Sequence, residues 1–242
     1  MKAGLFAGLL VVLAFPAALP AKEPAPASDR AELVRWLLAH ENDLRDVSFA
    51  DVVLAATGKR IIPVDPKKHA ELLRKLSGAL DATLAALNAP AHAVHHTARV
   101  NEASHFIEDE IRRRVNSIPG WKCMIPRTSD DRELRSGYPD LRVVTDDGTV
   151  MYLDPKLYEA GNRGSTLRTF YYEPRGLTGK IHDDALQMLV GIEHSGKDVA
   201  TMRLLSWELV DVSKLRVSLK AEFQTGNSSI YRPAMIVGRS AK

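Results

Sequence analysis

A hairpin signal around residue 147 constrains this chain more than any other stretch. Two short apolar runs, at 141–144 and 150–153, flank the tetrapeptide Asp-Asp-Gly-Thr at 146–149. Gly148 tolerates the positive φ that a tight turn needs, so an Asp-Gly step between β-rich runs predicts two antiparallel strands. Folding back at this turn places the start of the first strand beside the far end of the second.

Three charged side chains occupy the ends that this turn brings together. Asp140 precedes the first strand, while Asp154 and Lys156 lie near the end of the second. Strand positions two apart point to the same face, so 154 and 156 are neighbours. Two carboxylates on one patch need a counter-charge, and Mg²⁺ prefers carboxylate oxygens and is commonly shared with substrate phosphates. The pattern favours a divalent-cation site with a lysine that positions water. The alternative is a solvated strand end.

The order Pro139-Asp140, then Asp154-Pro155-Lys156, resembles the PD-(D/E)xK signature of the restriction-endonuclease-like nuclease superfamily. That resemblance covers about residues 98–212 and implies an α/β (α+β) fold with an αβββαβ core and a mixed sheet. It also implies a DNA endonuclease of restriction type that depends on Mg²⁺, for which Mn²⁺ can substitute. Pro155 cannot donate to a sheet ladder, which predicts a bulge or an unpaired edge there.

The same tripeptide occurs earlier in the chain, at 65–67. There Asp65 can cap a helix, and Pro66 suits the first helical turn. A structural explanation is therefore sufficient for this copy.

The resemblance further implies an acidic residue on a helix that precedes the first core strand. Helical spacing at 100–115 places an apolar stripe on one face, formed by Ala103, Ile107, Ile111 and Val115. On that helix Glu108 is the predicted member of the site, and Glu102 is the runner-up. The predicted metal ligands are thus Asp140, Asp154 and Glu108, and Lys156 joins them as the fourth predicted catalytic residue. The alternative for either glutamate is a solvated helix face.

A local excess of positive charge follows the hairpin. Residues 156–180 contain five Lys and Arg residues against two acidic ones, with aromatic residues between them. Such a patch is compatible with contacts to a nucleic-acid backbone, and we predict that Arg163 and Arg168 bind DNA. A solvated sheet edge is the alternative. DNA is therefore the predicted partner, and a homodimer is compatible with the resemblance.

The first 21 residues predict a targeting segment. Lys2 precedes an uncharged apolar run at 3–15, and prolines and small alanines follow as far as Ala21. Because the run is short for a membrane-spanning helix, we predict a cleaved signal peptide and a periplasmic or secreted product. No stable membrane association is then expected after cleavage, and an uncleaved anchor is the alternative. Residues 22–28 are a predicted flexible lead-in, 29–97 a helical region and 98–242 the nuclease-like domain.

Composition limits the remaining classes of function. Lys2 is the one charged residue of the targeting segment, so cleavage lowers the formal net charge of +3 by one. A balance so close to neutral gives no global attraction for nucleic acid. Cys123 is the single cysteine, which excludes an internal disulfide. Two alternatives stay open: a catalytically silent nuclease-fold binding module in the periplasm, and a metalloprotein with His92, His95 and His96 as ligands.

Hydrophobic periodicity predicts the other elements. Gln187 is assigned to a surface position. Helices are predicted at 29–58, with a segment at 49–56 that ends at Gly58, and at 66–87, 100–115 and 183–192. Strands are predicted at 61–64, 121–125, 167–173, 199–212 and 215–223, in addition to the hairpin.

Overall fold

The computed structural model describes residues 27–96, 100–166, 170–174, 176, 179–196 and 202–238. Residues 44–219 form one compact unit, and the segments before and after it form a second. The helices are α1 Ala27–His40, α2 Phe49–Thr57, α3 Ala70–Leu87, α4 Val100–Asn116 and α5 Asn227–Ile230. The strands are β1 Val47–Ser48, β2 Ile61–Ile62, β3 Lys122–Met124, β4 Leu141–Val144, β5 Val150–Glu159, β6 Ala185–His194, β7 Leu204–Asp211 and β8 Arg216–Val217.

Six strands build the main sheet. Five of them follow the order β2-β6-β5-β4-β3. The sixth, β7, pairs with β6 on the side away from β5, further along the strand than β2. Strands β3, β4 and β5 are antiparallel neighbours, β5 and β6 are parallel, and β7 returns antiparallel to β6. The predicted mixed α/β fold with a mixed sheet is therefore confirmed. A separate two-stranded ribbon joins β1 to β8.

The hairpin forms as its sequence predicts. Leu141 pairs with Leu153 and Val144 pairs with Val150, so the turn closes at 145–149. Gly148 has a φ of +82°, and the backbone N–H of Gly148 donates to the carbonyl of Thr145 at 3.0 Å. The turn thereby sets the register that brings residue 140 beside the middle of β5.

Helix α4 packs its predicted apolar stripe against the sheet. Its four stripe residues are between 0 and 1% exposed, and they share one core with Leu76 and Leu80 of α3. A recurrence at every fourth position lines one helix face, which explains why this element follows directly from the sequence. The other face of the sheet is covered by a smaller cluster around Phe49, Val53 and Tyr152.

Because α3 contributes to the same core as α4, the compact unit extends across the domain boundary predicted at residue 97. The unit begins at Leu44 and ends at Leu219. Helix α2 begins at Phe49, where the Ser48 hydroxyl accepts a hydrogen bond from the backbone N–H of Asp51 at 3.3 Å. It ends at Gly58, as predicted, with a φ of +70°.

The predicted helix at 183–192 is wrong, because Ala185–His194 form strand β6 in the interior of the sheet. A strand covered on both faces is a nearly continuous apolar run, and such a run fits helical and strand spacing alike. Gln187, predicted at the surface, is fully buried on this strand. The signal for a strand was the two-residue spacing of Leu186, Met188, Val190 and Ile192, which all join the main core.

Other boundaries differ from the predictions. Helix α3 begins at Ala70 rather than at residue 66, since 66–69 form a turn. Asp65 caps that turn by accepting hydrogen bonds from the backbone N–H groups of Lys67 and Lys68 at 2.8 and 3.2 Å. The strand predicted at 167–173 is wrong for its described part, because Phe170 onward is irregular. The strand predicted at 215–223 is reduced to the two residues of β8.

The second unit contains α1 and the short helix α5. Leu33, Trp36 and Leu38 of α1 are exposed. Within the described residues, no helix is both long enough and apolar enough to cross a membrane. The predicted signal peptide at 1–21 lies outside the described residues.

Candidate active site

The candidate site lies where β5 extends beyond the end of its neighbour β4. β4 pairs with β5 only as far as the Leu141–Leu153 pair, whereas β5 continues to Glu159 along β6. Asp154, Pro155 and Lys156 therefore lie on a stretch of β5 that has lost its partner on the β4 side. The register of β5 with β6 is continuous through Pro155, so there is no bulge. Pro155 is instead accommodated at an unpaired edge, which is one of the two outcomes that the sequence predicts.

A cavity of about 320 Å³ opens at this place, and we call it the acidic cavity. It collects all four predicted catalytic side chains, from α4, from the residue before β4 and from β5. Its lining is Ser104, His105, Glu108, Arg135, Ser136, Gly137, Tyr138, Asp140, Asp154, Lys156 and Tyr171. Glu102, the runner-up, is exposed on α4 and does not line it. A larger hollow of about 660 Å³ follows the outer side of α4 and contains none of the predicted site residues.

Lys156 lies between the two aspartates. Its Nζ is 3.9 Å from Oδ2 of Asp140 and in direct ion-pair contact with Oδ2 of Asp154. Burial alone would lower the pKa of Lys156, but the Asp154 and Asp140 carboxylates outweigh it, and the pKa is raised. Lys156 is therefore an ammonium group at neutral pH. It acts as a hydrogen-bond donor and not as a base.

Asp154 is 1% exposed, which is unusual for a carboxylate. Its Oδ2 touches Lys156 but receives no hydrogen bond of acceptable geometry. Asp140, whose side chain is 15% exposed, is affected by this neighbour. Burial and then the charge of Asp154 raise the pKa of Asp140 to about 8, although Lys156 opposes them. When both carboxyl groups are ionised, they carry more negative charge than Lys156 alone neutralises.

Glu108 reaches the cavity from α4 beside Arg135. The Arg135 guanidinium donates to Oε2 of Glu108 at 3.4 Å and to Oδ1 of Asp109 at 2.7 Å. Burial raises the pKa of Glu108, and Arg135 partly offsets that effect. Arg135 lies in the polar loop before the hairpin, where mixed charge without periodicity gave no sign of a role.

Two further buried polar residues were missed by the sequence reasoning. Lys180 is 2% exposed, and its Nζ donates to the carbonyl of Leu134 at 3.2 Å. Burial lowers the pKa of Lys180, opposed by the charges of Asp140, Asp154 and Glu108. Gln187 accepts a hydrogen bond from the Tyr138 hydroxyl at 2.7 Å, and its buried Nε2 has no partner. Both depend on contacts between distant parts of the chain.

Arg163, one of the two predicted DNA-binding arginines, does not line the acidic cavity. Arg163 is exposed and forms an ion pair with Glu208 at 2.8 Å. Arg168 lies outside the described residues.

The histidine alternative gains no support. Within the described ranges, no group of three or more His, Cys, Asp and Glu side chains is arranged so that it could hold a metal ion, and this applies to the three histidines as it does to Asp140, Asp154 and Glu108. His92 precedes the 3₁₀ turn Ala93–His96, so the helical i, i+4 geometry with His96 is not formed. The Nδ1 of His92 accepts a hydrogen bond from the backbone N–H of Val94 at 3.1 Å.

Comparison with known proteins identifies the family of the chain. The sequence profile of the type II restriction enzyme MjaV family matches residues 42–234. The type II restriction enzyme MjaV of Methanocaldococcus jannaschii is 27% identical over 211 residues, which cover 80% of this chain and 89% of the relative. No solved structure matches the chain. The matched range contains the hairpin, α4 and the whole acidic cavity.

Proposed function

Because the chain belongs to the type II restriction enzyme MjaV family, we propose that it is a DNA endonuclease that hydrolyses phosphodiester bonds with Mg²⁺ held at the acidic cavity. The observation that carries this proposal is the convergence of Asp140, Asp154, Glu108 and Lys156 on one cavity. These are the residue types that hold a hard cation and a phosphate together.

The residues present fit a divalent cation. Asp154 is a buried carboxylate whose Oδ2 is in ion-pair contact with Lys156, and a divalent cation would further compensate its charge. The pKa of Asp140 is raised first by burial and then by the charge of Asp154, and a cation bound beside both groups would favour their ionised forms. Mg²⁺ keeps several waters and usually binds through one or two carboxylates and substrate phosphates, so a closed cage of protein ligands is not required. Asp140 and Asp154 would hold the ion, with Glu108 as a third ligand, and Mn²⁺ would substitute.

When bound, Mg²⁺ would supply Lewis-acid stabilisation of the negative charge on the phosphate and on the leaving 3′ oxygen. Lys156, as an ammonium group, would donate hydrogen bonds to the attacking water and the phosphate, and thereby orient them in line. The water oxygen would form the new bond to phosphorus as the bond to the 3′ oxygen breaks. The water proton would leave to solvent, and the leaving 3′ oxygen would take up a proton from solvent.

A plasmid digestion assay tests the proposal. We expect the purified chain to convert supercoiled plasmid to linear fragments with Mg²⁺ or Mn²⁺, and to leave it intact with EDTA. Lys156→Ala and Asp154→Asn should each lose at least about a hundredfold in rate, a loss typical of a removed catalytic group. Lys67→Ala is a matched control, because it alters the same Asp-Pro-Lys tripeptide at a capped turn outside the acidic cavity.

The opposite results separate the alternatives. Lys156→Ala cutting as fast as the wild type would remove the assigned role of this lysine. Plasmid left intact under every metal condition would instead favour the catalytically silent binding module.

We also propose that the chain is exported, with its first 21 residues removed. The family match begins only at residue 42, so the targeting segment precedes the matched region. Mass determination of the mature N-terminus and fractionation of cells test this. An intact Met1 in the cytoplasmic fraction would contradict it. The homodimer stays a prediction, which sedimentation of the purified chain would measure.

A further inference from the structure

A second cavity opens beside the acidic cavity, and we call it the aromatic pocket. The two share four residues, Ser136, Gly137, Tyr138 and Tyr171. The aromatic pocket adds Tyr172, Glu173, Gly179 and Lys180, and its volume is about 120 Å³. That volume holds several waters, so the pocket can take a planar heterocycle. A group bound there would be next to whatever occupies the acidic cavity.

Three tyrosines form the walls of the aromatic pocket. Two of them are held in a cluster of edge-to-face rings, in which Tyr138 and Tyr172 each pack against Phe49 with ring centroids 5.6 and 5.4 Å apart. Tyr171 differs from them, because 68% of it is exposed. Aromatic faces at fixed positions are surfaces on which nucleobases stack, whatever the base.

The inner wall carries a buried positive charge. Lys180 has three N–H donors, and its Nζ donates to the carbonyl of Leu134. The charges of Asp140, Asp154 and Glu108 oppose the effect of burial and favour the ammonium form of this side chain. It is suited to an acceptor atom on the edge of a bound group.

The charge distribution favours a base over a second phosphate. Glu173 lies on the lining of the aromatic pocket, and its negative charge repels a phosphate. The pocket therefore offers the Lys180 donor between aromatic walls and disfavours a second anion. That combination matches the polar edge of a nucleobase.

We propose that the aromatic pocket receives one nucleobase of the DNA adjacent to the cleaved phosphate, stacked on Tyr171 with its polar edge toward Lys180. This inference rests on the proposed function, since the acidic cavity must hold the phosphate. The base would have to leave the helical stack to enter. Tyr171 would then be a positioning and specificity-determining residue.

Abasic scanning tests the proposal. The cut position is first mapped by sequencing the ends of plasmid fragments. Duplexes with a single abasic nucleotide at each position around the cut are then compared under single-turnover conditions, with the wild type, Tyr171→Ala and Tyr171→Phe. Tyr231→Ala is the matched control, because Tyr231 is 66% exposed and lines neither cavity.

We expect Tyr171→Ala to slow cleavage of the intact duplex by roughly 5- to 100-fold, the range for loss of one base–aromatic stack. Tyr171→Phe and Tyr231→Ala should keep the wild-type rate. One abasic position should slow the wild type to a similar extent and have no further effect in Tyr171→Ala. Wild-type rates for Tyr171→Ala, or equal abasic effects in both proteins at every position, would overturn the base pocket.

The same comparison is made for binding, by fluorescence anisotropy of the duplexes with Ca²⁺ in place of Mg²⁺. A wild type that binds but never cuts would overturn the proposed endonuclease, while the binding data would still decide the pocket. A wild type that neither binds nor cuts DNA would overturn both proposals.

Discussion

Replacing Asp140 by asparagine should stabilise the metal-free protein and at the same time abolish its activity. Asp140 and Asp154 share one cavity with Lys156 as their nearest cation, and burial together with Asp154 raises the pKa of Asp140 from 3.8 to about 8. Asparagine has nearly the same shape without the charge. It removes the repulsion but also a predicted ligand of the metal.

The magnitude follows from the pKa shift. Each tenfold change in proton affinity corresponds to 1.36 kcal/mol, so raising the pKa of Asp140 from 3.8 to about 8 sets a ceiling of about 6 kcal/mol. Relaxation and water penetration lower the cost of a buried charge, and we expect a gain of about 2–4 kcal/mol. For a chain of this size, such a gain raises Tm by roughly 5–15 °C.

The stability gained by Asp140→Asn must increase with pH. The pKa of Asp140 in the folded state is above its unfolded value of 3.8, so its favourable contribution is present below about pH 4 and is lost as pH rises toward 8. Metal-free wild type should therefore lose stability from pH 4 to 8, and level off above that. The advantage of Asp140→Asn should be small at pH 4 and full at pH 8.5.

Urea unfolding followed by tryptophan fluorescence measures this, with EDTA present and at several pH values between 4 and 8.5. Asp147→Asn in the hairpin turn is a control whose effect on stability should have the opposite sign. Hydrogen bonds from the Thr145 hydroxyl and the Thr149 backbone N–H lower the pKa of Asp147 to about 2. Its contribution is present above the unfolded pKa and is lost as pH falls toward 2, so Asp147→Asn should be destabilising at neutral pH.

Two results would refute the reasoning. Asp140→Asn could prove no more stable than the wild type at pH 8.5, or its gain could be the same at pH 4 and at pH 8.5. In either case the carboxylate pair would not be the source of strain. Activity of Asp140→Asn in plasmid digestion would separately contradict its role as a ligand.

Three further outcomes are expected. Mg²⁺ at a hundred times its Kd should stabilise the wild type by about 2.7 kcal/mol, seen as a rise in Tm, whereas Asp154→Asn should show no such rise. Arg135→Ala should raise the pKa of Glu108 further, because Arg135 offsets the effect of burial, so the acidic limb of kcat/KM against pH should move to higher pH. Ile111→Ala should lower the free energy of unfolding by about 2–5 kcal/mol in urea, since Ile111 is fully buried, whereas Leu33→Ala on the exposed side of α1 should change it little.

The parts of the fold that were predictable from the sequence are those specified locally. The hairpin depends on an Asp-Gly turn between two apolar runs, and α4 depends on a stripe with helical period. The hairpin by itself predicts that Asp140, Asp154 and Lys156 converge, whereas the family resemblance was needed to assign Glu108 to the same site. The capped turn at Asp65 was accessible for the same reason.

The remainder depends on pairing between distant segments. Strand β6 is defined by its parallel partner β5 across a long crossover, and its apolar run has no local feature that excludes a helix. Lys180 and Arg135 look like ordinary surface charges in the sequence, and only the packed structure places them near the carboxylates. A residue whose role is set by the charge of remote neighbours leaves no signal in its own vicinity.

The charges around the acidic cavity suggest how metal and DNA binding are linked. Three cationic side chains face three carboxylates in the metal-free protein, and these are Lys156, Lys180, Arg135, Asp140, Asp154 and Glu108. A divalent cation held by these carboxylates would offset the negative charge that otherwise repels a DNA phosphate. The divalent cation and the DNA should therefore each bind more tightly in the presence of the other, because coupling between binding sites is reciprocal. The DNA affinity measured with and without a divalent cation must then change by the same factor as the cation affinity measured with and without DNA.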